Sequence, residues 1–154
     1  MNELQFENSP HLQKHAQNPI NWKPWGSKTL ALAKSSNTPI FLSIGSSTCH
    51  WCHTMDQESF SDQDVAEILN QNFICIKVDK EERPDLDEAF MKVNQIGGNP
   101  GGWPLNVFLT PNAQPYFATT YLPKNSSERR PGMMSIIPQA ARVWKENQEN
   151  VFTI

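Results

Sequence analysis

The hydrophobic positions of this chain fall into short runs that are separated by loops rich in proline, asparagine and glycine. The run PIFLSIG, residues 39–45, is almost continuously apolar and of strand length, which is typical of a strand buried on both faces. FICIKVD, residues 73–79, is a second run of this kind. WPLNVFLT (103–110) and PYFATTYL (115–122) are rich in β-forming residues, and the intervening PNAQ predicts that they form a hairpin.

Apolar residues at helical spacing predict helices between and after these strands. The residues expected on their inner faces are Leu30, Leu32 and Ala33 in a helix ending near Asn37, Leu86, Phe90 and Val93 in a second, and Ile137, Ala141 and Trp144 in a last helix within 135–150. Thr48 is the expected N-cap of a helix opening near Cys49. Ser61 with Asp64 is typical of a capping box that starts a further helix. This helix and the one opening near Cys49 are either separate helices or parts of one kinked helix.

The resulting order is helix, strand, helix, strand, helix, strand, strand, helix. Strands separated by helices favour parallel pairing, and the final hairpin adds antiparallel strands. The prediction is therefore an α/β protein with the thioredoxin fold, in which a mixed central sheet is flanked by helices on both faces. We expect residues 1–154 to form a single domain, with residues 1–24 as an irregular N-terminal extension.

Size and charge narrow the classes of function. The chain has 154 residues, 38% of them hydrophobic, and a net charge of -3 with its basic residues scattered, which argues against nucleic acid as a partner. No apolar run approaches the roughly 20 residues of a membrane span, and no secretory signal is visible. We therefore predict a cytoplasmic location, unless a leader was removed or the domain was excised from a longer chain.

The stretch STCHWCHTM, residues 47–55, concentrates the candidate chemistry. C-x-x-C is typical of a redox disulfide, C-x-x-C-H of c-type haem attachment, and two thiols beside two imidazoles of zinc. Haem attachment needs an oxidising compartment and usually a second axial ligand. A closed zinc site needs four ligands, but Cys49, Cys52 and His53 crowd into one helical turn. The pattern favours the redox interpretation, with no metal and no external cofactor.

Thiol–disulfide exchange requires a thiolate, which the first turn of a helix stabilises. We expect the pKa of Cys49 to fall below the ordinary value of about 8.5, so that Cys49 is the nucleophile. Cys52 lies one turn later and would resolve the mixed disulfide. His50, if protonated, and Trp51 are expected to tune the redox poise. His50 is equally interpretable as an exposed helix residue without an electronic role, and for His53 that interpretation is the favoured one.

The stretch GGWPLNVFLT, residues 101–110, supplies a second signal. In a thioredoxin fold a cis proline precedes the strand that faces the active-site helix, and cis peptide bonds are essentially confined to X-Pro. Pro104 is placed to be that residue. The backbone around Trp103 is then expected to pair with an extended substrate segment, so Trp103 and Pro104 would shape the substrate groove. The alternative is a trans proline that merely opens a strand.

These motifs, together with NPINWKPWG and the stretch from 72 to 87, resemble the N-terminal thioredoxin-like domain of the spermatogenesis-associated protein 20 family over residues 9 to 146. The resemblance implies that Cys49 and Cys52 are the redox pair and that Pro104 is the cis proline. Longer relatives continue into a helical domain similar to α/α barrels. Thioredoxins also carry a buried acid six residues before the nucleophile. Ser43 occupies that position here, which argues against an efficient thioredoxin-type reductase.

The remaining candidates receive structural interpretations. Asp56 and Glu58 are expected to be solvated helix residues, and Cys75 an inert core cysteine. The acidic segment 79–87 is expected to cap the next helix, although a divalent metal site is conceivable there. The predicted function is thiol–disulfide exchange with a disulfide- or dithiol-containing protein or a small thiol. The alternative is a binding module whose groove, beside Trp51 and Trp103, holds a partner or a C-terminal domain.

Overall fold

The computed structural model describes residues 2–128 and 130–146, which contain one five-stranded mixed sheet. Its strands are β1 (Lys23–Pro24), β2 (Ile40–Gly45), β3 (Ile74–Asp79), β4 (Leu105–Leu109) and β5 (Pro115–Thr119), in the order β1-β3-β2-β4-β5. β3 is parallel to both β1 and β2, whereas β4 is antiparallel to β2 and β5. The predicted mixed sheet and hairpin are confirmed.

The helices occupy the predicted intervals, except for the first, which lies in the segment predicted to be irregular. They are α1 (Pro10–Lys14), α2 (Ser27–Ser36), α3 (His50–Met55), α4 (Gln63–Asn72), α5 (Pro84–Ile96) and α6 (Met133–Glu146). A 3-10 turn spans Glu3–Phe6, and a π-helical segment, Asp56–Phe60, continues α3. The last predicted residues of the final helix, 147–150, lie outside the described residues. No helix in the described part of the chain is long and apolar enough to cross a membrane.

The side chains of β2 alternate between two hydrophobic clusters, because successive residues of a strand point to opposite faces of the sheet. Phe41 packs with Trp22 and Phe60 on one face, which α1, α4 and α6 cover. Ile40 and Leu42 pack in the other cluster, which α2 and α5 cover. Helices therefore cover both faces, and every residue of β2 is buried, as predicted.

The N-terminal segment is not the irregular extension that the sequence predicted. Ser9 accepts a hydrogen bond from the backbone N–H of Leu12 as the N-cap of α1, and its hydroxyl donates to Asp79 at 2.6 Å. The amide of Asn2 donates to the carbonyl oxygen of His15 at 3.0 Å. Trp22 is fully buried in the core. These contacts fix residues 2–24 against the end of β3.

Two predicted helix starts are shifted by one residue. Cys49, not Thr48, is the N-cap of α3, and its side chain accepts the backbone N–H of Cys52. Asp62, not Ser61, caps α4 by accepting from Val65. The carboxylate of Asp62 is the stronger acceptor for an orphan helix N–H, and Lys124 pairs with it at 2.8 Å.

Candidate functional site

The two cysteines lie at the carboxyl end of β2, where the chain turns into α3. Their sulfurs are bonded at 2.27 Å, and their Cα atoms are 5.2 Å apart. Cys49 is partly exposed, whereas Cys52 is only 2% exposed. Cys49 is therefore the more accessible residue of the pair, while Cys52 lies in the protein interior.

The start of α3 places a hydrogen-bond donor on the Cys49 sulfur. The backbone N–H of Cys52 donates to Sγ of Cys49 at 3.1 Å. Unpaired N–H groups at a helix start carry partial positive charge, and such donors stabilise an anion. The same bond would stabilise a thiolate once the disulfide is reduced.

An exposed aromatic surface adjoins the cysteines. Trp51 is 52% exposed, and its ring lies 5.1 Å from that of Tyr121 and 5.3 Å from that of His50. Tyr121 donates to Glu58, and partial burial together with this carboxylate raises the pKa of Tyr121 to about 12. Tyr121 therefore stays neutral at physiological pH. Trp51 lies at the surface, as predicted.

The peptide bond between Trp103 and Pro104 is cis, as predicted. In the antiparallel register Ile44 pairs with Leu105, which puts Pro104 beside the end of β2 from which the cysteine loop departs. Two residues of the acidic segment contact Trp103. The indole N–H of Trp103 donates to Asp87 at 2.7 Å, and Nζ of Lys80 lies 4.4 Å from the Trp103 ring. The acidic residues Asp85 and Asp87 lie in the first turn of α5, but the N-cap residue Arg83 makes no side-chain capping bond, and Asp87 instead orients Trp103.

Ser43 and Lys77 form a buried floor on the same face of the sheet as Gly45, which lies next to Cys52. Ser43 is fully buried, and Nζ of Lys77 donates to its hydroxyl at 3.3 Å. The ammonium group also lies 4.4 Å from the Phe60 ring. Burial lowers the pKa of Lys77 to about 7, although the negative charge of Asp56 partly opposes this shift. An amine therefore occupies the region where thioredoxins carry an acid.

Sequence analysis missed two buried histidines, His11 and His15, which α1 brings to the same floor. They are 1% and 2% exposed, and their rings are 4.9 Å apart. Burial, reinforced by the charge of Lys77, lowers the pKa of His11 to about 3 and of His15 to about 2, so both are neutral at physiological pH. The spacing H-x-x-x-H in HLQKH was the available signal, since it places both rings on one helix face.

Asp56 belongs to this floor and is not the solvated helix residue that the sequence suggested. Its carboxylate accepts from the amide of Asn18 at 3.0 Å and lies 3.6 Å from Nε2 of His15. The sequence could not show this, because both partners come from the N-terminal segment. Glu58 is exposed, as predicted.

The remaining candidate residues, Cys75 and His53, lie in the core or make a local backbone contact. Cys75 is buried in β3, and burial raises the pKa of its thiol, in keeping with the predicted core role. The ring of His53 contacts the carbonyl oxygen of Ser47 at 2.9 Å. Within residues 2–128 and 130–146, no three His, Cys, Asp or Glu side chains are grouped so that they would hold a metal ion.

The sheet, the disulfide at a helix start and the cis proline define a thioredoxin-fold protein with a C-x-x-C pair. Among solved structures, a protein titled "DsbH Oxidoreductase" is similar with a TM-score of 0.59 at 17% identity, over 80% of this chain and 85% of that chain. A thioredoxin from Thermus thermophilus is similar with a TM-score of 0.54 at 23% identity, over 81% and 87%. These likenesses establish the fold.

The chain belongs to the family Thioredox_DsbH, described as "Protein of unknown function, DUF255", whose model matches residues 1–154. Spermatogenesis-associated protein 20 is 46% identical in Mus musculus over 98% of this chain, and 44% identical in Homo sapiens over 97%. The chain spans 19% of the length of both. An uncharacterized protein of Caenorhabditis elegans is 47% identical over 97% of this chain. The predicted family resemblance is confirmed.

Proposed function

We propose that this protein catalyses thiol–disulfide exchange, with Cys49 as the nucleophile and Cys52 as the resolving thiol. The observation that carries the proposal is the asymmetry of the pair. Cys49 is the more exposed residue and its sulfur accepts a backbone N–H at a helix start, whereas Cys52 is buried. An attacking thiol needs access and thiolate character, whereas a resolving thiol needs only to reach its neighbour.

The exchange balances without an external cofactor. The Cys49 thiolate attacks one sulfur of a substrate disulfide, the substrate S–S bond breaks, and the first substrate thiol leaves. The Cys52 sulfur then attacks Sγ of Cys49, which breaks the mixed disulfide and releases the second substrate thiol. The protein dithiol is oxidised and the substrate disulfide is reduced, and the reverse sequence oxidises a substrate dithiol. Another dithiol protein or a small thiol would restore the starting state.

The proposed substrate groove lies between the cysteines and the loop that ends in Pro104. Support comes from the cis peptide, which sets the direction of the backbone at the start of β4, and from Asp87, which fixes the Trp103 ring. An extended segment of a protein substrate would pair with the backbone around Trp103. We propose that the exposed ring of Trp51 contacts the same substrate and that His50 contributes to the redox poise.

Trapping of the mixed disulfide tests the proposal. Reduced Cys52→Ser protein, mixed with a disulfide-containing protein such as insulin, should accumulate an adduct on Cys49 that mass spectrometry locates. Cys49→Ser should form none, and Cys75→Ala, which removes a thiol remote from the pair, should turn over like the wild type. Equal behaviour of the wild type and Cys49→Ser would refute the assignment.

The exposed Trp51 favours a second candidate, a non-catalytic module that binds a partner or a further domain. That module would bind insulin or another partner equally well in both serine variants, and no covalent adduct would form. The same experiment therefore separates the two functions. The further helical domain, the protein substrate and the cytoplasmic location stay predictions.

A further inference from the structure

Gly45 separates the buried sulfur of the pair from a histidine of the N-terminal segment. A Cβ at Gly45 would lie 2.7 Å from Sγ of Cys52 and 3.2 Å from Nε2 of His11. The separation of the sulfur from the ring nitrogen cannot exceed the sum of these two distances. This upper limit allows proton transfer through one bridging water molecule, and direct transfer requires the two atoms to approach within hydrogen-bond distance. A side chain on this residue would fill the space between them.

The His11 ring is buried but unsatisfied. Neither ring nitrogen has a hydrogen-bond partner among the described residues. A buried polar atom without a partner is destabilising, so such an atom beside a reactive sulfur requires an explanation. A disulfide offers no proton to the ring, whereas a Cys52 thiol would offer one to Nε2. The orphan nitrogen therefore gains its partner when the pair is reduced.

We propose that Nε2 of His11 accepts the proton of the Cys52 thiol, and that the N-terminal segment thereby supplies the proton-transfer group that position 43 lacks. This inference rests on the proposed role of Cys52. When Cys52 attacks Sγ of Cys49, its proton passes to His11 and its electron pair forms the new S–S bond. The mixed disulfide breaks, and the departing substrate thiolate takes up the proton from the imidazolium, directly or through solvent.

The charges around His11 keep its ring neutral while the pair is oxidised. Burial, Lys77 on β3 and Lys14 on α1 lower its pKa to about 3, so these cations oppose protonation of the ring, and the negative charge of the Cys52 thiolate has to offset them when the proton is transferred. His15, the C-cap residue of α1, is neutral, and Asp79 at the end of β3 accepts a hydrogen bond from Ser9. From α3, the titratable side chain of Cys52 faces the space beside Gly45, which the His11 ring also faces. Proton transfer creates a thiolate–imidazolium pair, in which each ion stabilises the other.

The neighbouring groups are less suited to reach Cys52. Nδ1 of His15 is hydrogen-bonded to the carbonyl oxygen of His11, and its Nε2 lies towards Asp56. The Lys77 amine donates to Ser43. His15→Gln is therefore a matched control for His11→Gln, because each change removes one buried imidazole from the same short helix.

Reaction of the reduced protein with Ellman's reagent separates the two steps. Absorbance at 412 nm reports a first thiolate released by attack of Cys49 and a second released when Cys52 resolves the mixed disulfide. His11→Gln should slow the second phase at least tenfold at pH 7 and change the first less than twofold. His15→Gln should slow the second phase far less than His11→Gln does. Equal slowing by the two variants would mean that His11 acts only through packing.

A second measurement does not depend on turnover. In Cys49→Ser protein, the thiolate absorbance of Cys52 at 240 nm, titrated from pH 5 to 9, should show a midpoint at least one unit higher after His11→Gln. An unchanged midpoint would overturn the inference. If the wild type shows no reaction with Ellman's reagent, the proposed function fails, while this titration still decides the role of His11.

A third measurement needs no variant. If His11→Gln does not fold, the ¹⁵N resonances of the histidine rings in the native chain serve instead. The Nε2 resonance of His11 should move between the oxidised and reduced protein more than that of His15. A His11 resonance that does not respond to reduction would overturn the inference.

Discussion

Replacing Lys77 with methionine should stabilise the protein at neutral pH. The side chain is 1% exposed, and the ammonium group has one hydroxyl partner, Ser43, together with the faces of Trp22 and Phe60. Burying a charged amine among apolar groups costs more than such contacts return. Methionine has a similar length, needs no polar partner and packs well against aromatic rings.

The magnitude follows from the two pKa values of Lys77. Its pKa is about 7 in the folded protein and 10.5 in the unfolded chain. Between these values the unfolded chain binds a proton that the folded protein does not bind, so the stability of the wild type rises with pH. The slope is about 1.4 kcal/mol per pH unit. The advantage of Lys77→Met should therefore shrink by about 2 kcal/mol between pH 7 and pH 9.

Urea denaturation of the oxidised protein at pH 7 and pH 9 measures this difference, since Cys49 and Cys52 then do not titrate. His11 and His15 do not contribute to the difference, because their pKa values lie below 7 both in the folded and in the unfolded chain. Lys28→Met, which removes an exposed lysine of α2, should show no pH-dependent gain. A Lys77→Met advantage that is equal at both pH values, or a loss of stability at pH 7, would refute the reasoning.

Two further substitutions test the packing around the site and the corrected helix start. Gly45→Ala places a methyl group 2.7 Å from Sγ of Cys52, so it should destabilise the protein by about 1–3 kcal/mol in urea denaturation. Gly26→Ala, with nothing within 4 Å, should cost less, since it loses only the preference for glycine at the N-cap of α2. Asp62→Ala should cost about 1 kcal/mol because it removes the cap of α4, and Ser61→Ala should cost far less. Equal effects within either pair would contradict the assignment concerned.

The sequence predicted most of the fold because its strands are apolar runs with clear boundaries. β2 and β3 lie within PIFLSIG and FICIKVD, and the hairpin β4–β5 lies where PNAQ indicated it. The C-x-x-C pair and the Trp103–Pro104 cis peptide are local motifs, so they too were recognisable from one stretch of chain.

The floor of the site could not be predicted in the same way, since it consists of contacts between distant segments. The sequence 1–24 lacks a long apolar run, and residues 2–24 are held by isolated core side chains such as Trp22 together with polar contacts such as Ser9 with Asp79 and Asn18 with Asp56. Periodicity carries no information about such pairs. The replacement of the thioredoxin acid by Ser43 was visible in the sequence, but the arrival of His11 beside Cys52 required the fold.

The reduction potential of the Cys49–Cys52 pair tests the central claim most directly. The protein is equilibrated with glutathione buffers of graded poise, the free thiols are alkylated, and mass spectrometry counts the modified cysteines. Thiol–disulfide exchange predicts reversible interconversion of the pair, with a midpoint between about -270 mV, where thioredoxin lies, and about -120 mV, where the strongest protein oxidant lies. A pair that forms no disulfide at any poise would contradict the account.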